Sequence, residues 1–247
     1  MKQSWLFLAL LVVLTRSFVV DNASDSCSEE EEEETDNTKV KCPKHYIGFY
    51  RTPNDANNQT KLWCLRAVMS NEPVSQARAQ EACEAEGSVL STFANFDEQK
   101  YIVKRATKHF NHRNITNGSL WLDGARIDEC QTFDITKQTS APCNDKKQVF
   151  RLIDPRTDPK YVWTQWYRTS PTWAYYPFRT EDYVTYPTAD SVIADCIQMW
   201  ISPRNSDRNG QLHSLNCDMA VAPAKINEPL YTNYGFVCGR PPVLSFY

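Results

Sequence analysis

The chain has little glycine, seven residues in 247. No glycine-rich loop joins a strand to a helix, which argues against a phosphate cradle and hence against nucleotides. No run of lysine and arginine is present, so the electrostatic footprint of a nucleic-acid binder is missing too. No nucleophile elbow occurs, and the adjacent His213 and Ser214 point to opposite faces of any strand, a poor base and nucleophile. His109 and His112 fall at i and i+3 near the end of a helical stretch and read as a solvated face. The chain is therefore read as no enzyme. Its nine cysteines include no closely spaced pair to seed a zinc tetrathiolate. The apolar run from Trp5 to Leu14 falls short of the about 20 residues that span a bilayer, and no later stretch qualifies.

What is present begins with export. Lys2, the run Trp5–Leu14, and then Thr15, Arg16 and Ser17 match the three regions of a secretory signal, so residues 1–20 are read as a signal peptide. Nine cysteines then imply disulfides, because the secretory pathway is oxidising. Sequons at Asn22, Asn58, Asn114 and Asn117 agree with a secreted, extracellular glycoprotein. Residues 21–40 read as an acidic, disordered leader, since the six glutamates Glu29 to Glu34 repel one another and bury nothing. Nine of 30 acids and two of 27 bases precede Asn37, so the remaining body has 25 bases against 21 acids, a net +4. Cys27 lies in the leader and is the expected odd thiol, unpaired or bridging two chains in a disulfide-linked dimer.

From residue 41 to 247 the pattern is that of one folded domain. Cys42 and Cys64 flank a strand, loop and strand, with Asn58 near the loop tip. The stretch from Ser75 to Glu86 has helical spacing and stops at Gly87. A second helix starts at Asn95-Phe96-Asp97-Glu98, a capping box in which Glu98 reaches back to the cap nitrogen, and runs toward Phe110. Leu120 to Gly124 reads as a strand ending in a turn, and Tyr161 to Trp166 as another strand. Cys130 and Cys143 are close enough to pair. Cys196 and Cys217 flank two apolar runs turned back at Asn209-Gly210, a pair that tolerates positive φ. From Trp166 to Tyr186, eight of 21 residues are aromatic against 12% overall, so this loop must bury them, display them, or both.

These pieces, in order, resemble the C-type lectin-like domain family in its long form with an N-terminal hairpin. The motifs are Ala82-Cys83 with Gly87 and Leu90, Trp121-Leu122-Asp123-Gly124, Asp195-Cys196, Cys217, and Tyr234-Gly235-Phe236-Val237-Cys238. The resemblance implies an α+β fold of two helices and two small antiparallel sheets with a long loop region. It also implies the pairs Cys83–Cys238, Cys196–Cys217 and Cys42–Cys64, with Cys130–Cys143 left over.

Sugar-binding members of that family hold calcium with a Glu-Pro-Asn or Gln-Pro-Asp triplet and a Trp-Asn-Asp triplet, because calcium takes six to eight hard oxygen ligands. Here the corresponding positions are Tyr186-Pro187-Thr188, Ala194 and Leu212-His213-Ser214. The usual ligands are absent, so no cofactor is expected; a calcium site rearranged onto Asp190, Asp195 and Asp218 is the alternative. The resemblance implies a recognition module for an extracellular glycan or protein, including carbohydrate-binding lectins as a class. Trp173, Tyr175, Tyr176, Tyr183, Tyr186 and His213 are the candidate contact residues, since flat side chains bury much area with few rotors to freeze. An oligomerising structural protein joined through Cys27 is the other reading.

Overall fold

Ser75 and Asn95 open the two long helices. In this computed structural model, which describes residues 39–168, 175–176, 192–220 and 229–245, α1 is Gln76–Ala85 and α2 is Phe96–His112. The Ser75 hydroxyl accepts the Arg78 N–H, and Asn95 Oδ1 accepts the Glu98 N–H at 3.0 Å. Each cap satisfies an amide that has no partner within its helix. Gly87 follows α1 at φ 66°, a left-handed turn that stops the helix. The expected capping box at Asn95 is altered in one respect. The Glu98 carboxylate accepts the N–H of Ala94, one residue earlier, at 2.7 Å, because it is held by Arg51.

Around these helices run β1 (Lys39–Lys41), β2 (Ile47–Tyr50), β3 (Leu62–Met69), β4 (Val89–Leu90) and β5 (Gly118–Arg126). Next come α3 (Ile135–Gln138), β6 (Phe150–Arg151), α4 (Pro159–Val162), β7 (Tyr175–Tyr176) and β8 (Val192–Ile193). The chain closes with β9 (Cys196–Ile201), β10 (Leu212–Leu215), β11 (Asn233–Arg240) and β12 (Val243–Ser245). The main sheet has the order β10-β9-β5-β11-β3-β2, with β4 on β11 and β6 on β5. Its two halves are each antiparallel and meet at the parallel pair β5 and β11. Short ribbons β1–β12 and β7–β8 stand apart from it.

Alternation along the strands divides the core between the two sheet faces. Leu65, Ala67, Leu120, Leu122, Ile197, Met199, Ile201 and Val237 pack with Ile102, Ala106 and Phe110 of α2. Their neighbours Cys64, Trp121, Trp200, Phe236 and Cys238 pack on the other side with Ala79 and Cys83 of α1. Four disulfides tie the layers: Cys42–Cys64, Cys83–Cys238, Cys130–Cys143 and Cys196–Cys217. Three of these are the pairs that the resemblance implied, and Cys130–Cys143 is the pair left over.

Two local readings are corrected. The segment from Tyr161 to Trp166 is no strand: Asp158 caps α4, Pro159 occupies its first turn, and turns follow. Trp163 and Trp166, three residues apart, therefore stack with centroids 5.9 Å apart instead of facing opposite ways. The strand at Leu120 does not end at Gly124 but continues to Arg126 through a register shift against β9. Gly124 sits there at φ 131°, with Ile197 Cδ1 2.4 Å from where a Cβ would stand, so the bulge needs glycine.

Candidate functional site

β9 and β10 pair in antiparallel register, with His213 opposite Gln198 and Leu215 opposite Cys196. This places His213 and Trp200 side by side on the α1 face. Their rings stack at 4.5 Å and 11°, and Tyr231, just before β11, meets both edge-on. Tyr167 lies 5.0 Å from Trp200, and the Arg208 guanidinium stands 5.8 Å from the centroids of both. Tyr167 donates its N–H to the Leu212 carbonyl, so the aromatic stretch that begins there springs from the edge of β10.

His213 is buried, with Nδ1 2.8 Å from the Ser214 carbonyl and Nε2 3.4 Å from the Tyr231 hydroxyl. It is therefore a packing element of this cluster and not a displayed contact residue, as its place in the sequence had suggested. Tyr175 and Tyr176 form β7 by backbone pairing to β8, while Trp173, Tyr183 and Tyr186 lie outside the described residues. Of the sequons, Asn58 and Asn114 are exposed, and half-buried Asn117 accepts the Ser202 hydroxyl at 2.6 Å. Asn22 and Cys27 are outside the described residues.

The positions that hold calcium elsewhere are occupied differently here. Ala194 and Leu212 to Ser214 are buried, and the Ala194 carbonyl accepts from Arg126 Nε at 2.9 Å. Asp195 Oδ1 accepts the Cys217 N–H at 3.1 Å. Burial raises the Asp195 pKa, opposed by backbone hydrogen bonds. Among the described residues the group with metal-ligand spacing is Asp195, Cys196 and Cys217, but its two sulfurs are joined to each other. One carboxylate already engaged by the backbone does not fit the oxygen-rich shell that calcium needs. Asp218 is exposed, and Asp190 is outside the described residues.

Two buried titratable groups make the domain's stability depend on pH in opposite senses. Burial pushes His213 down to about 4, so the unfolded chain binds a proton that the fold refuses. That contribution is complete above about pH 6.5 and is lost as pH falls toward 4, on the order of 3 kcal/mol. Asp123 is pushed up to about 7 by burial, with nearby Asp154 adding to the effect and the N–H groups of Ile153 and Asp154 opposing it. Its fold therefore favours the protonated acid, and stability declines as pH rises from about 4 to 7. Urea unfolding across this range is expected to show Asp123→Asn gaining stability with rising pH and His213→Phe losing it. Equal slopes in the two variants would contradict the assignment.

The paired disulfides and the two helices on opposite faces of a sheet joined at β5–β11 define a C-type lectin-like domain. The profile of the family described as C-type lectin domain-containing protein 141/158 matches residues 48–241, and the chain belongs to that family. C-type lectin domain-containing protein 158 of Caenorhabditis elegans is 30% identical over 205 residues, covering 82% of this chain and 90% of that protein. Protein 141 of the same organism is 29% identical over 212 residues, covering 83% and 67%. Among solved structures, the human scavenger receptor C-type lectin carbohydrate-recognition domain aligns at 17% identity with a TM-score of 0.41, covering 81% of this chain and 98% of that one. No helix among the described residues is long and apolar enough to cross a membrane.

Proposed function

We propose that the protein is a secreted recognition module that binds an extracellular glycan or protein without the usual calcium-dependent sugar site. The observation that carries this reading is the replacement of the calcium-ligand positions by buried Ala194, Leu212, His213 and Ser214, packed with Trp200 and Tyr231. The ring stack of Trp200, His213 and Tyr231 stands where sugar-binding members carry calcium ligands. Contact with the ligand then falls to Trp173, Tyr175, Tyr176, Tyr183 and Tyr186, in a binding protein and not an enzyme. In this reading residues 1–20 are removed on export and the four sequons carry glycans; the acidic leader, expected over residues 21–40, stops short of Lys39 and Val40, which pair with β12 and belong to the binding domain expected from residue 41. With the other eight cysteines paired, Cys27 remains for a bridge to a second chain, which a non-reducing gel reads directly.

The test is thermal melting of the exported protein in millimolar calcium and in chelator, followed by a glycan array in each condition. A ligand that binds only the folded state raises the melting temperature by mass action. Equal melting temperatures and the same array pattern in both conditions are the expected result. An upward shift of several degrees with calcium, together with calcium-dependent sugar binding, would replace this reading by that of a lectin with a rearranged site.

A further inference from the structure

A groove of about 750 Å³ runs along α2, between the helix and the part of the β9–β10 connection that contains Asn209, Gly210 and Gln211. Three lysines, Lys100, Lys104 and Lys108, rise along its helical wall at successive i, i+4 positions. At 1.5 Å per residue their Cα atoms are spaced about 6 Å apart along the axis. All three are exposed, and none takes part in an ion pair among the described residues. Among the described residues no aspartate, glutamate or arginine lines the groove. Its apolar surface comes from Phe96, 60% exposed, with Val103 and Tyr161. Lys100 Nζ stands 5.8 Å from the Phe96 ring centroid.

The groove is built, not incidental. Gln99 Nε2 donates to the Gly210 carbonyl at 2.9 Å and to Gln165 Oε1 at 3.1 Å, while the Tyr161 hydroxyl donates to Gln99 Oε1 at 2.7 Å. These bonds fix the far wall against the helix. Gly210, at φ 85°, lets the turn approach so closely that a Cβ there would lie 3.0 Å from Val103 Cγ2. A preformed wall lowers the ordering cost of binding.

From this geometry we infer that the α2 groove is a binding site for a linear sulfated glycan, built from residues other than the aromatic candidates Trp173 to Tyr186. The charges are ammonium groups on flexible stems, which act as point charges and suit tetrahedral sulfates. Among the described lining residues there is no guanidinium, whose fork grips carboxylates and phosphates alike in two-pronged fashion. The row of cations matches a chain carrying repeated anions, and Phe96 and Tyr161 offer flat surfaces to the C–H faces of sugar rings. Hydroxyl and amide groups of Tyr161, Gln165 and Gln211 lie within the same groove for the glycan's own hydroxyls.

The experiment uses the whole exported protein and three probes: a heparin oligosaccharide, the same oligosaccharide after complete desulfation, and polyglutamate. Binding is measured by titration calorimetry at several salt concentrations. The wild type is expected to bind the sulfated oligosaccharide best, with affinity falling steeply as salt rises. The variant Lys100→Gln/Lys104→Gln/Lys108→Gln is expected to bind it at least tenfold more weakly, with a slope of log affinity on log salt shallower by about two. Its melting temperature should be unchanged, since the three side chains are exposed. Phe96→Ala is expected to weaken binding severalfold without altering the salt slope, and a control variant, Lys61→Gln/Lys137→Gln/Lys147→Gln, to bind as the wild type does. The proposal is overturned if the triple variant binds like wild type, if the control loses as much, or if the desulfated chain binds as tightly. Polyglutamate binding equal to the sulfated probe, with the same loss in the triple variant, would assign the groove to acidic peptides instead.

Discussion

Glu98→Ala is expected to cost the domain about 3–5 kcal/mol, a large part of the 5–15 kcal/mol by which domains of this kind are stable. Arg51 and Glu98 are both buried and meet in a two-pronged pair, Nε to Oε1 at 2.8 Å and Nη2 to Oε2 at 2.7 Å. Arg51 Nη1 also donates to the Arg156 carbonyl at 2.7 Å and to Thr157 Oγ1 at 3.0 Å. The pair thus holds three segments together: the end of β2, the start of α2 and the turn before α4. Removing the carboxylate leaves a guanidinium in the core with no counter-charge and frees the Ala94 N–H. Replacing both residues, Arg51→Met with Glu98→Leu, removes the charge as well and is expected to recover most of the loss. Urea midpoints of the two single variants and the double variant measure this. A Glu98→Ala loss below about 1 kcal/mol, the range of an exposed pair, would refute the account.

Opening the Cys83–Cys238 bridge is expected to cost about 5 kcal/mol. The bridge closes a span of 155 residues, and in the chain-entropy treatment the cost of leaving such a loop open grows with the logarithm of its length. The same treatment gives about 3 kcal/mol for Cys130–Cys143, whose span is 13 residues. Cys83→Ala/Cys238→Ala and Cys130→Ala/Cys143→Ala, each lacking both sulfurs so that no free thiol reshuffles, can be compared by denaturant unfolding. The longer bridge joins α1 to β11 in the buried core, whereas the shorter one closes a peripheral loop beyond β5. A larger loss for the short bridge would mean that local packing, not loop length, governs both.

The parts of the fold that could be read from the sequence are those whose causes are local. Ser75 and Asn95 cap helices because their side chains serve amides within three residues, whereas Asn209-Gly210, expected as a tight turn, ends a ten-residue connection, 202–211, in which Gly210 takes φ 85° and Asn209 no positive φ. The disulfide pairing became readable through the resemblance, since spacing alone left Cys238 without a partner. The stretch from Tyr161 to Trp166 was misread because six apolar and polar residues suit either period. The deciding signal, Asp158-Pro159, lies just ahead of it. Apart from those bridges, contacts across long sequence gaps were not readable. Nothing near Arg51 announces Glu98, and nothing in Leu212-His213-Ser214 announces that the imidazole lies flat on Trp200. The four-residue spacing of Lys100, Lys104 and Lys108 is plain in the sequence but has no meaning there by itself. That the row borders a groove depends on Tyr161 and Gly210, which only the folded chain brings there.

The position of β11 bears on how the protein is made. Its partners are β3, about 170 residues earlier in the chain, and β5. A ribosome delivers this central strand after every other strand of the main sheet, so until residues 233–240 emerge the inner edges of β3 and β5 have no native partner between them. Such edges recruit other strands, and pairings of long sequence separation form slowly. Synthesis of this protein therefore includes an interval in which the waiting chain needs shielding, and truncation before Asn233 leaves a product with no native way to close its sheet.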